Sequence, residues 1–241
     1  MHYLICSTPR VGSNLLSSLL NATNRVGHPR EYFCPAQIAL YGPEHCGFDQ
    51  VTNGPELHQY IDAMARAFGR DGVFGIKAHM HQLRRALALG YDFHGRRPDR
   101  FVFVTRADMI GQALSLVRAT QTGAWAAQQP ERRAPVFRGD EVRETLQLLL
   151  KENAAWDSLF NALDIEPLRL TYEGLCADLG GELGRTLDFL GVPKESVDLQ
   201  RAVDLATSYF RPQRDAVTDE WRARYDEWVR ARAARTELVT M

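Results

Sequence analysis

Residues 3–20 constrain this chain more than any other stretch. The apolar run Tyr3-Leu-Ile-Cys6 reads as a buried strand. The loop Ser7-Thr-Pro-Arg-Val-Gly12 follows it, and Leu15-Leu-Ser-Ser-Leu-Leu20 has helical spacing. A strand, a tight loop and a helix N-terminus in that order make an anion cradle. The first helical N–H groups lack internal partners, and the helix dipole adds partial positive charge. Gly12 lets backbone approach a ligand, Ser13 is placed to cap the helix, and Arg10 adds a permanent charge with a planar donor fork. The ATP-binding loop needs Gly-x-x-x-x-Gly-Lys-Ser/Thr. Here an Arg stands two residues before a single Gly, which reads as a phosphate or sulfate cradle not built for ATP.

The rest of the chain supplies a frame for that loop. Tyr3–Ser7, Val73–Lys77, Phe101–Arg106 and Leu168–Tyr172 are short apolar or β-branched runs separated by helical pattern, as in a parallel sheet with helices on both faces. The clearest helix runs from about Asp140, a plausible N-cap, to Leu163. Residues 27–54 and 125–140 are rich in Gly, Pro and polar side chains and lack periodicity. They read as irregular segments near a substrate, the second as a lid. A length of 241 residues suits one α/β domain over 1–241, a P-loop-like parallel sheet flanked by helices. Residues 218–241 form its exposed C-terminal amphipathic helix. The net charge of −1 argues against nucleic acid as a partner, and no apolar run approaches a membrane span. No leader-like segment is evident at the start. Cys6, Cys34, Cys46 and Cys176 show no Cys-x-x-Cys pairing, so they read as reduced thiols of a cytoplasmic protein.

Other residues extend the chemistry. The strand 101–106 ends in Thr-Arg, where a nucleotide triphosphatase needs an acidic residue for magnesium. Arg106 at the strand end and Ser115 nine residues on suit a second anion, so a ligand with phosphates at both ends is expected. Lys77 ends its strand on the cradle's edge, either touching a ligand or reaching solvent. His79 and His81 lack a Cys or carboxylate ligand nearby in sequence, and no metal is expected. Arg222 and Arg224 read as the solvated face of the last helix.

Five segments, taken in order, carry a resemblance. They are Ser7-Thr-Pro-Arg-Val-Gly-Ser-Asn-Leu-Leu16, His28-Pro-Arg-Glu-Tyr-Phe33, Phe74-Gly-Ile-Lys77, Thr105-Arg-Ala-Asp-Met-Ile-Gly-Gln-Ala-Leu-Ser115 with Arg118-Ala-Thr-Gln-Thr-Gly-Ala-Trp125, and Thr171-Tyr-Glu-Gly-Leu175. Together they resemble the bacterial trehalose 2-sulfotransferase family, over nearly the whole chain. The resemblance implies a fold of the PAPS sulfotransferase type and transfer of a sulfuryl group from 3′-phosphoadenosine 5′-phosphosulfate (PAPS) to a hydroxyl of a saccharide or small molecule. It implies that Arg10, Val11, Gly12, Ser13 and Asn14 hold the 5′-phosphosulfate, that Arg106 and Ser115 hold the 3′-phosphate, and that Tyr172 lies near the adenine. Either Arg211 or Arg214 adds a phosphate contact. Glu31 matches the family's general base, and Arg10 stabilises the leaving phosphate. Pro9, His28, Pro29, Arg30, Tyr32, Phe33, Lys77, Thr122 and Trp125 fall on the acceptor side, with Trp125 as either a sugar platform or ordinary packing. A homodimer is also implied. Val11 and Asn14 replace hydroxyl residues common in this loop, and residues 34–68 align poorly, which leaves the acceptor open. A small-molecule kinase on the same architecture and a non-catalytic nucleotide-binding protein are the rival readings.

Overall fold

A computed structural model describes residues 1–95, 97–126, 129–208 and 216–239, leaving aside the side chains of 235–239. Arg211 and Arg214 lie outside the described residues. The chain gathers into two compact units, Met1–Thr105 with Glu152–Tyr209, and Arg106–Lys151 with Phe210–Met241.

The first unit is built on four parallel strands, β1 (His2–Ser7), β2 (Phe74–His79), β3 (Arg100–Thr105) and β4 (Leu168–Thr171), in the order β2-β1-β3-β4. Successive side chains alternate between the faces, and both faces are apolar. Leu4, Cys6, Phe74, Ile76, Phe101 and Phe103 pack with Tyr32, Phe33, Tyr60, Trp156 and Phe160 on one side. Tyr3, Ile5, Val102, Val104 and Leu170 pack with Leu16, Leu19, Leu20 and Leu187 on the other. The helices covering these faces are α1 (Ser13–Ala22), α2 (Pro35–Cys46), α3 (Gly54–Phe68), α4 (Met80–Ala88), the C-terminal part of α6 (Gly139–Ala162), α7 (Tyr172–Ala177), α8 (Leu179–Phe189) and α9 (Leu199–Thr207). The strand order changes direction beside β1. The chain after β1 crosses to β2 on one side, whereas β3 and β4 lie on the other, so the crevice at the carboxyl end of β1 is where such a sheet receives ligands.

Residues 27–54 are not wholly irregular, because α2 lies within them. Its pattern is obscured by Pro43 inside the helix and by a narrow contact stripe of Ile38 and Gly42. Ser13 does not cap α1. Gly12, at φ +79°, occupies the cap position, and among the described residues no side chain caps the helix.

In the second unit, α5 (Met109–Thr122) and α10 (Ala216–Val239) pack with the N-terminal part of α6 through Leu114, Val117, Val142, Leu149, Trp221 and Tyr225. Asp108 caps α5 by accepting from the Gly111 N–H at 3.0 Å, and Arg222 of α10 donates to the same carboxylate at 2.6 Å. Arg222 is therefore a packing residue of α10 and not part of a solvated face. Arg224 stays half exposed, over the Phe137 ring at 4.6 Å.

Gly75 of β2 lies under the Tyr3 ring, and a Cβ there would come within 2.2 Å of Tyr3 Cζ. Tyr3 is itself fixed by donating to the Val26 carbonyl at 3.1 Å. Gly75→Ala should therefore overpack this face and cost about 1–3 kcal/mol in urea unfolding. An unchanged midpoint would show that the ring shifts freely.

Candidate functional site

The loop after β1 is bent by two residues in the left-handed region, Arg10 at φ +68° and Gly12 at φ +79°. A non-glycine residue holds that conformation only when its surroundings fix it. Gly12 is also required by space, since a Cβ would lie 2.8 Å from the Tyr172 ring at the start of α7. Tyr172 thus stands over the N-terminus of α1, beside first-turn N–H groups that lack internal partners. Val11 is fully buried and anchors the loop, Ser13 is buried, and Asn14 is exposed. Thr8, also buried, donates to the Asn153 amide oxygen of α6 at 3.4 Å. The Ser7 carbonyl accepts from the buried Trp156 indole at 3.0 Å.

Beside this loop the segment 28–33 runs along the free edge of β2. The Lys77 N–H donates to the Arg30 carbonyl at 2.8 Å, and Arg30 bridges Ile76 in parallel. That pairing sets Glu31 against the β2 side chains. Lys77 is 3% exposed and its ammonium contacts Glu31 Oε1 at 2.8 Å. The same ammonium donates to Asn14 Oδ1 in the first turn of α1. Lys77 is interior to β2 and does not end the strand, so it joins the segment 28–33 to the cradle instead of reaching solvent. Glu31 Oε2 accepts from Gln82 Nε2 of α4 at 2.7 Å, and His79 Nε2 stands 3.6 Å from Oε1. Burial works against the charge on Glu31, but the His79 imidazole and the Lys77 ammonium outweigh it and hold the carboxyl well below the usual carboxylate range. Glu31 is therefore ionised at neutral pH.

Two further pairs border this cluster. His79 Nδ1 lies 3.1 Å from Ser7 Oγ and 3.3 Å from the Ser7 carbonyl. His81 Nδ1 lies 3.0 Å from Glu152, an almost fully buried carboxylate that raises the imidazole pKa against its own partial burial. The two histidines thus each pair with a different carboxylate.

The remaining residues fall in several places. Tyr32 and Phe33 are core side chains, and the Tyr32 hydroxyl donates to the His28 carbonyl at 2.7 Å. Burial, then Arg30 and Arg70, push His28 down to about 4, so it is neutral, and its Nδ1 accepts from Arg30 Nε at 3.4 Å. Pro29 is buried, while Pro9 is half-buried in the loop. In the second unit Arg106 follows β3, 3.5 Å from Asp108, and Ser115 is half-buried on α5. Thr122 is buried at the end of α5, where its hydroxyl donates to the Arg118 carbonyl at 2.9 Å. Trp125 is 48% exposed. Gln82 and Glu152 carry no sequence signal of their own. Gln82 becomes legible only once α4 is known to begin at Met80, which makes His79-x-x-Gln82 a capping box.

The Glu31–Lys77 pair has a pH signature. A carboxyl lowered by folding contributes stability that is complete above its unfolded pKa, about 4.3, and that is lost as pH falls through the lower folded value. Lys77→Met should thus be less stable than the parent at neutral pH, and the gap should narrow as pH drops below that value. Urea midpoints across the acid range check this, and a gap independent of pH would mean that the pair contributes nothing.

The comparisons with known proteins agree with this frame. The Stf0 sulphotransferase family model matches residues 2–227. A trehalose 2-sulfotransferase of Mycobacterium tuberculosis is 26% identical, covering 99% of this chain and 97% of its own. Another, from Mycolicibacterium smegmatis, is 24% identical over 92% of this chain and 93% of its own. Among solved structures, the sulfotransferase domain of a Synechococcus olefin synthase superposes with a TM-score of 0.47 at 17% identity, over 91% of this chain and 86% of its own. With a family model spanning nearly its whole length, the chain belongs to the Stf0 sulphotransferase family, enzymes that transfer a sulfuryl group.

Proposed function

We propose that this enzyme moves the sulfuryl group of PAPS to a hydroxyl of a saccharide, with Glu31 as general base. One observation carries the reading: a partly buried, ionised Glu31 is tied through the buried Lys77 to Asn14 in the first turn of the cradle helix. A base for the acceptor and an anion cradle for the donor thus share one buried ammonium. The saccharide acceptor rests on the two trehalose 2-sulfotransferase relatives, and the donor on the family resemblance. The whole chain is read as one sulfotransferase domain that forms homodimers, also on that resemblance.

The cradle fits a phosphosulfate. α1 begins without a side-chain cap, Gly12 keeps the approach free of a Cβ, and Arg10 supplies the cation. The donor brings an electrophilic sulfur and a phosphate leaving group. As the acceptor oxygen bonds to sulfur and the bridging oxygen–sulfur bond breaks, Glu31 takes the acceptor's proton. Arg10 and the first N–H groups of α1 meet the negative charge that gathers on the departing phosphate. Tyr172, packed against Gly12, is assigned to the adenine, and Arg106 with Ser115 to the 3′-phosphate. Arg211 or Arg214 is assigned a further phosphate contact. Pro9, His28, Pro29 and Arg30 of the first unit, and Thr122 and Trp125 of the second, are assigned to the acceptor on the family resemblance.

Binding and chemistry can be tested separately. The product nucleotide 3′-phosphoadenosine 5′-phosphate should stabilise the protein in a thermal melt without magnesium, by about 2.7 kcal/mol at 100 times its Kd. Equal or larger stabilisation by magnesium-ATP would favour the kinase reading.

Glu31→Gln keeps the side chain's shape but removes the basic oxygen, so kcat should fall by about 10²–10⁴-fold with nucleotide affinity nearly unchanged. Single-turnover transfer beside a nucleotide titration measures both. Near-normal turnover would remove Glu31 from the role of base.

A further inference from the structure

Gln82 is 6% exposed and makes two hydrogen bonds at the start of α4. Its Oε1 accepts from the His79 N–H at 3.0 Å, and its Nε2 donates to Glu31 Oε2 at 2.7 Å. The backbone N–H can only donate and the ionised carboxylate can only accept, so the amide has one orientation. A flipped amide would set oxygen against oxygen on one side and two donors together on the other. Glu31 is therefore gripped from both ends of its carboxylate. Oε1 is engaged by Lys77 at 2.8 Å, with His79 beside it at 3.6 Å, and among the described residues Oε2 receives Gln82. A carboxylate oxygen has two acceptor sites, so one site on Oε2 remains for an incoming proton.

We infer that Gln82 is a positioning residue for sulfuryl transfer: it fixes the Glu31 carboxylate so that Oε2 takes the proton of the acceptor hydroxyl. The inference rests on the reading of Glu31 as the base. Gln82 touches neither donor nor acceptor in this scheme. The proton passes from the acceptor oxygen to Oε2 as the new oxygen–sulfur bond forms and the bond to the leaving phosphate breaks. Lys77 cannot supply the same orientation, because its ammonium is shared with Asn14 and grips the other oxygen. The capping bond to His79 matters equally. It ties the amide to the junction of β2 and α4, so Glu31 is aimed by the backbone of the sheet and not by a mobile side chain.

The groups facing this carboxylate are Lys77 and His79 from β2 and Gln82 from α4, with the His81–Glu152 pair beyond His79. A donor bonded to a carboxylate favours its ionised form. Removing that donor should make Glu31 easier to protonate. The experiment compares Gln82→Leu, which loses both bonds, with Gln82→Glu, which keeps an acceptor for the His79 N–H and puts a second carboxylate in place of the donor. For each, kcat and kcat/KM for the acceptor are followed against pH, with direct titration of 3′-phosphoadenosine 5′-phosphate alongside.

Both variants should lose about 10–100-fold in kcat. Both should show an acid limb at higher pH than the parent, further displaced in Gln82→Glu, with nucleotide affinity unchanged. If Gln82→Leu does not fold, Gln82→Glu decides, since it preserves the cap. A loss of activity with an unmoved acid limb would make Gln82 a structural residue and overturn the inference. Glu31→Gln separates the two levels. If it abolishes turnover while the Gln82 profiles match the parent, the base stands and the positioning role fails. If Glu31→Gln turns over normally, the base reading and this inference fall together.

Discussion

The arrangement depends on one buried ammonium. Lys77 is almost without solvent, and a cation in that position is costly unless its donors are satisfied. Glu31 and Asn14 satisfy it from two directions, one on an edge segment and one on the first turn of α1. Neither partner can move without leaving charge or hydrogen-bonding capacity unmet. The site is therefore organised by the desolvation of Lys77. The value of the ion pair lies less in net stability, which buried pairs seldom supply, than in specifying one geometry.

That geometry is available because the sheet is apolar on both faces and its polar residues gather at the carboxyl ends of β1 and β2. Ser7, Thr8, Lys77 and His79 are all buried there, and Ser7, Thr8 and His79 meet partners from neighbouring segments. Trp156 contributes from beneath, filling the core with its ring while its indole N–H satisfies the Ser7 carbonyl at the point where β1 turns into the loop. The packing of the core and the placement of the loop are thus one arrangement.

Three of the four strands were legible as short runs apolar on both faces, β4 as a shorter alternating run, and the boundaries read from sequence lie within two residues of β1, β2, β3 and β4. The long helix was legible for a similar reason: its periodic apolar positions place it over 140–163 against Gly139–Ala162. α2 was hidden by Pro43 and Gly42, which carry turn-like chemistry while serving a helix that presses Gly42 against the Phe48 carbonyl. The cap of α1 was misread because Ser13 is a good capping residue in general, whereas this loop needs a left-handed residue at the cap position and Gly12 supplies it. At the candidate site, Arg10 is drawn from the loop that carries it and Glu31 from the family resemblance. The contact between Asn14 and Lys77 could not be read, since these residues are 63 positions apart and meet only where α1 starts beside β2. Arg222 and Asp108, 114 positions apart, meet through the packing of α10 against α5.

The backbone bridge between Arg30 and β2 has a consequence for how such an enzyme can diversify. Glu31 is held by main-chain pairing on its N-terminal side and by side chains of β2 and α4, whereas the chain from Cys34 to Val51 leaves that edge as a separate helix and loop. Insertions, deletions or exchanges after Phe33 can reshape that neighbouring surface while the carboxylate keeps its coordinates. A lineage, or an engineer, can thus vary the exposed positions of that one segment while the contacts of Glu31 with Lys77 and Gln82 are carried over intact.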